Sequence, residues 1–174
     1  MDQHTRRDLI LIAAAAVAAA PLAAQSAPAF FTPDELRMVE ELSEIIIPAD
    51  DHSPGARAAG VAAFIDKSLA ESFEEEPRTE FRDGLRSVDK LCHDMHHTSF
   101  LEATPEQRVA VVARMARNEK SPKKTEEHFF LEIKFRTAHA YYTSDIGIHK
   151  EIEYKGNTML NQFVGYDAST VPIP

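Results

Sequence analysis

Two four-residue stretches constrain this chain more than anything else in it: Thr32-Pro33-Asp34-Glu35 and Thr104-Pro105-Glu106-Gln107. In each, a threonine that can cap a helix precedes a proline suited to the first helical position, and a Glu or Gln three residues on closes a capping box. After Thr32, apolar residues recur at Leu36, Val39, Leu42 and Ile46, and Pro48 ends the run. After Thr104 the predicted inner face is Val109, Val112 and Met115 or Ala116. Between them, Phe81, Leu85, Val88, Cys92 and Met95 follow one another at steps of four, three, four and three, a helical stripe. A further helix is predicted from about Arg57 to Glu71, with Val61, Phe64, Ile65 and Leu69 inward. A long one opens at Ser121-Pro122, lined by Phe129, Phe130, Ile133, Thr137, Ala140 and Tyr141, with Gly147 as its C-cap. No alternating run with an Asn-Gly or Asp-Gly turn asks for a strand. The expectation is all-α: a single compact bundle of about five helices. It ends in an irregular, aromatic-rich tail from Ile148 to Pro174, with a short helix near Asn157–Phe163.

The first thirty residues read differently. Arg6-Arg7 precedes an uncharged, alanine-rich run from Leu9 to Ala20, and small residues follow at Ala23, Ala24, Ser26 and Ala27. That order is a secretory signal, and Thr5-Arg6-Arg7-Asp8-Leu9-Ile10 resembles the twin-arginine motif of the route that exports folded proteins. An ordinary signal with two chance arginines is the alternative. The apolar run is too short and too weak to favour a permanent span. Cleavage falls between about 24 and 29: Ala24-Gln25-Ser26 and Ala27-Pro28-Ala29 both satisfy the small-x-small rule. The chain thus divides into a signal (1–29) and a helical domain (30–174), and the expected location is the periplasm.

The 174 residues carry a net charge of −9, and removing residues 1–26 leaves it unchanged. Such a chain suits neither nucleic-acid phosphates nor anionic lipid. Cys92 is the sole cysteine, so the chain has no internal disulfide. Its place in the apolar stripe predicts burial, with pairing to another chain as the alternative.

Residue chemistry alone offers little else. His93, His96 and His97 share the helix of Cys92, and His93 with His97 could grip a metal from one face. Their side of the helix is the solvent side, and no His-Glu-x-x-His completes a catalytic zinc site. Asp50-Asp51-His52 could serve calcium or acid–base chemistry, but the spacing is that of a turn. The runs Glu74–Glu76 and Lys120–Lys124 read as solvated loops. No glycine-rich dinucleotide loop, haem-attachment Cys-x-x-Cys-His or Gly-x-Ser-x-Gly elbow is present.

Three ordered stretches carry a resemblance. The first is Phe31-Thr32-Pro33 through Ile45-Ile46-Ile47-Pro48-Ala49-Asp50. The second is Ser53-Pro54-Gly55-Ala56-Arg57-Ala58-Ala59-Gly60-Val61-Ala62-Ala63-Phe64-Ile65-Asp66. The third is Tyr141-Tyr142-Thr143-Ser144-Asp145-Ile146-Gly147, then Glu153-Tyr154-x-Gly156 and Phe163-x-Gly165-Tyr166. Together they resemble the gluconate 2-dehydrogenase subunit 3 family. That resemblance implies a non-catalytic small subunit accompanying a large FAD-dependent dehydrogenase of the glucose–methanol–choline type. The partner oxidises a sugar, glycoside or sugar acid, and relatives serve enzymes acting on the 3-hydroxyl of glucosides. FAD then belongs to the partner, haem c to a possible cytochrome subunit, and this chain needs no cofactor or metal of its own. The partner interface is expected at Pro48, Asp50, Pro54, Gly55, Tyr154, Gly156, Phe163 and Tyr166. The alternatives are a free-standing export chaperone and a metal-dependent enzyme using His93 and His97.

Overall fold

A computed structural model describes residues 29–156. Arg6, Arg7, the short helix expected near Asn157–Phe163, and the interface residues Phe163 and Tyr166 lie outside the described residues. Six α-helices follow in order: α1 (Pro33–Ile46), α2 (Gly55–Ala58), α3 (Val61–Ala70), α4 (Glu76–His96), α5 (Pro105–Ala116) and α6 (Thr125–Tyr142). A π-helical turn, Gly147–Glu151, closes the described chain. No strand occurs among the described residues.

Both capping boxes form as the sequence requires. Thr32 Oγ1 accepts from Glu35 N and Glu35 Oε2 from Thr32 N; Thr104 and Gln107 do the same. Each cap of this kind contributes about 1 kcal/mol. Helix α6 forms the axis of the bundle and packs against α1, α3, α4, α5 and the π-turn. Against α4 it packs tightly: Gly84 faces the Phe129 ring so closely that a Cβ would overlap three ring carbons. Phe129 in turn meets Phe81 edge-on, with ring centroids 5.0 Å apart. Cys92 is buried on this same stripe, and burial pushes its thiol pKa up, so it stays protonated and packs as a small apolar group.

The structure corrects several sequence expectations. The helix expected over Arg57–Glu71 is two, because Gly60 takes a left-handed φ of 69° and re-aims the chain. The inner face of α3 is Val61, Ile65 and Leu69, with Asp66 beside them; Phe64 points outward and is 47% exposed. The expected loop Glu74–Glu76 is helical at its end: α4 begins at Glu76, with Pro77 in its first turn. The α4 stripe ends at Cys92, and Met95 is partly exposed. Helix α5 is rotated from its expected face: Val111, Val112 and Met115 point inward, while Val109 is 51% exposed. Arg108 sets that rotation. Its guanidinium donates to the carbonyls of Phe100 (3.0 Å) and Leu101 (2.6 Å) and to Glu41 (2.7 Å), tying α5 to the loop before it and to α1.

Helix α6 starts at Thr125, not Ser121, because residues 118–124 wrap a carboxylate. Glu127 has no exposed surface. Its oxygens accept from Asn118 Nδ2 (2.7 Å), Lys123 N (2.9 Å) and Lys124 N (3.3 Å), with Arg114 at 3.6 Å. The Lys123 amide leads these interactions in holding the Glu127 pKa below its usual value. A carboxyl whose folded pKa is depressed stabilises the fold at pH above its unfolded pKa, about 4.3. That contribution is lost as pH falls through the lower folded value. Glu127→Gln therefore unfolds at a lower temperature than wild type near pH 7, and the gap closes as pH drops below about 4. Thermal melts from pH 7 to pH 3 read this directly; a pH-independent gap would assign the loss to shape instead of charge.

Gly147 is not a helix cap. Helix α6 ends at Tyr142, and Gly147 opens the π-turn where a Cβ would run into the Tyr141 carbonyl.

Candidate functional site

The fold brings together two stretches nearly a hundred residues apart. The first is the loop Pro48–Gly55, shaped by two carboxylates. Asp50 Oδ1 accepts from His52 N (2.8 Å) and Ser53 N (2.7 Å), an Asx turn. The Ser53 amide, then the His52 amide, lower the Asp50 pKa. Glu44 reaches back from α1 to accept from Ala49 N (3.2 Å) and Arg57 N (2.7 Å). Gly55, at φ +79°, lies where a Cβ would come within 2.5 Å of Ala49 N, so this position admits only glycine without rearrangement. Arg57 pairs with Glu40 and Glu41, fixing the loop's far end on α1.

The second stretch is the end of α6 and the turn after it. Tyr141 is fully buried, and its hydroxyl hydrogen-bonds the buried Ser53 hydroxyl. His52 Nε2 lies 3.2 Å from the Glu151 carbonyl. His52 and Tyr154 share the wall of a shallow hollow with His149, Lys150, Glu153 and Lys155. Of the expected interface residues, Pro48, Asp50, Pro54, Tyr154 and Gly156 are exposed at the surface and Gly55 is buried beneath it.

Sequence reasoning missed a neighbouring surface. On α6, Phe135 (69% exposed), His139 and Tyr142 (44% exposed) lie at successive helical turns. Phe64 on α3 completes the row: its ring is 6.1 Å from His139, which stacks on Phe135 at 6.3 Å with planes 11° apart. Helix α6 is thus apolar on two sides. The core side is Phe129, Phe130, Ile133, Thr137, Ala140 and Tyr141; the other faces out. The signal lay in the sequence as Phe135 and Tyr142, one heptad apart, outside the core periodicity.

The histidines of α4 remain apart from this surface. The His93 and His97 rings are 6.2 Å apart and perpendicular, and His97 is the left-handed residue just past the helix end. Among the described residues no group of three or more His, Cys, Asp or Glu is placed to hold a metal ion. No described helix is long and apolar enough to cross a membrane.

The class these features define is a small all-α bundle with aromatic side chains turned outward. Residues 33–161 match the family described as gluconate 2-dehydrogenase subunit 3, and the chain belongs to that family. No curated protein and no solved structure matches it.

Proposed function

We propose that this chain is the non-catalytic small subunit of a periplasmic, FAD-dependent dehydrogenase of the glucose–methanol–choline type. The large subunit oxidises a sugar, glycoside or sugar acid, and a c-type cytochrome subunit is a possible acceptor. This chain supports the folding and stability of the flavoprotein and carries it through the twin-arginine route on its own signal. The family match over residues 33–161 carries the reading, because the family's description is that of one subunit of a dehydrogenase.

The outward aromatic row supports it. A folded domain gains nothing in isolation by holding Phe64, Phe135 and Tyr142 in water, and aromatic anchors of this kind dominate binding energy at protein interfaces. The flavoprotein is their occupant in this reading, with Pro48, Asp50, Pro54 and Tyr154 at the adjoining edge. The double variant Phe64→Ser/Phe135→Ser tests it. Both rings are exposed, so the isolated subunit should melt within a few degrees of wild type. Loss of two anchors worth about 2 kcal/mol each weakens the complex by roughly a thousandfold if the two add. Co-purification of a larger flavin-containing chain with wild type, and its loss with the variant, is the expected result. Wild-type protein that retains no flavoprotein sinks the subunit reading; equal retention by both forms sinks only this face. A pair that forms and then separates on size exclusion would favour the chaperone alternative.

A further inference from the structure

Phe73, in the loop from α3 to α4, is a fully exposed aromatic ring. The loop that carries it is pinned at both ends. Arg78 of α4 donates through Nε to the Leu69 carbonyl (2.9 Å) and through Nη2 to the Ala70 carbonyl (2.8 Å), the last two carbonyls of α3. Ser72 N donates to the Leu69 carbonyl (3.3 Å), and Ser72 Oγ to that of Glu74 (3.3 Å). Phe73 is thus held out in water, with Glu71 before it and Glu74, Glu75 and Glu76 after it, all exposed.

Arg78 is also part of the wall of a hollow of about 440 Å³, lined by Phe30, Glu75, Arg78, Thr79, Arg82 and Arg86. Phe30 is fixed there by its amide on Asp66 Oδ1 (2.9 Å) and by its carbonyl, which accepts from Arg82 (2.8 Å). The Arg82 guanidinium lies 4.2 Å above the Phe30 ring. Arg86, one turn on, has a side chain 73% exposed, and its ion pair with Asp83 is a surface contact worth little. An aromatic ring between guanidinium groups suits a second aromatic ring, and the arginines suit carboxylates beside it. The Phe73 loop carries both. In its own chain Phe73 stays outside the hollow, although Glu75, two residues on, belongs to the wall.

Complementary patches side by side on one surface are what a two-fold pair of identical chains uses, residue i meeting j and j meeting i. We propose that this chain pairs with a second copy of itself: Phe73 of each enters the hollow of the other beside Phe30 and Arg82, and Glu74 of each meets Arg86 of the other. The patch is small, so the pairing is weak and depends on concentration. It uses none of Phe64, Phe135 and Tyr142 and does not rest on the subunit reading.

Sedimentation velocity of the purified full chain over a range of concentrations tests it. Wild type should shift from monomer to dimer as concentration rises. Phe73→Ser should melt as wild type does, since the ring lies outside the core. It should raise the dissociation constant by roughly a thousandfold if the losses add, because symmetry removes two rings at about thirtyfold each. Arg86→Glu and Glu74→Arg each set like charges face to face and should stay monomeric alone. Mixed in equal amounts they should pair, because each chain then offers the charge the other needs; a folding defect is not repaired by mixing. The proposal is overturned by wild type that stays monomeric up to about 1 mM, by Phe73→Ser that dimerises as wild type does, or by a mixture that stays monomeric. Monomeric wild type whose hold on a flavoprotein is lost in Phe73→Ser would give the loop to that partner and overturn self-pairing too. Dimeric wild type that retains no flavoprotein fails the subunit reading alone.

Discussion

Gly84→Val lowers the unfolding midpoint by about 10 °C, the largest loss expected from adding so little mass to this protein. The reason is the distance between α4 and α6. A side chain at position 84 has nowhere to go but the Phe129 ring. That ring cannot retreat, because it is buried and already meets Phe81 edge-on. The helices must separate, and overpacking of this sort costs about 3 kcal/mol at the upper end of its usual range. Gly84→Ala tests the same contact with a compensation, since alanine favours a helix over glycine by about 1 kcal/mol. It should therefore destabilise less than valine while still falling below wild type. Calorimetry of the three forms decides the matter. An alanine variant more stable than wild type would mean that Phe129 yields easily and that the close approach is not what fixes the two helices.

Gly84 also shows where sequence reading stopped. Its neighbours Phe81, Leu85, Val88 and Cys92 announce their helix by spacing alone, and the bundle class follows from such stripes together with two proline-led capping boxes. A glycine inside that stripe carries no periodic signal, since its role is an absence of atoms facing one particular ring. The buried carboxylates escaped for a related reason. Nothing in the sequence marks Asp66 and Glu127 as buried acids, because most of their partners are backbone amides that any residue could supply. Rotations were misjudged where a polar anchor overruled hydrophobicity. Val109 yields the inner face of α5 to Val111 because Arg108 is tied to two carbonyls and to Glu41. Apolar character and helical spacing put Phe64 on the inner face beside Val61, Ile65 and Leu69, whereas α3 needs only those three to fill its side of the bundle. The outward row of Phe64, Phe135, His139 and Tyr142 became visible only when α3 and α6 stood side by side. By contrast, Asp50 was legible as a turn residue, and the structure gives it two amides to accept from.

Tyr141→Ala costs the domain about 4 kcal/mol, a large share of the roughly 5–15 kcal/mol that holds a domain of this size together. Tyr141 has the largest side chain of those fully buried, so truncation leaves a ring-sized void at the end of α6. It also removes the side-chain bond between the body of the bundle and Ser53 in the Pro48–Gly55 loop. The two losses separate by substitution. Tyr141→Phe keeps the ring and deletes only the hydroxyl, leaving the buried Ser53 oxygen without its partner at a cost of about 1–3 kcal/mol. Ser53→Ala deletes the other half. If the two hydroxyls share a bond, the double variant Tyr141→Phe/Ser53→Ala costs less than the two single changes added together, because the second removal relieves the unpaired group the first created. The loop should report the same coupling through amide hydrogen exchange. The amides of His52 and Ser53, held by Asp50, and that of Ala56, held by the Ile47 carbonyl, exchange faster in Tyr141→Phe than in wild type. Costs that simply add, with unchanged exchange, would show that Glu44 and Asp50 alone hold the loop and that the end of α6 has no part in presenting it to a partner.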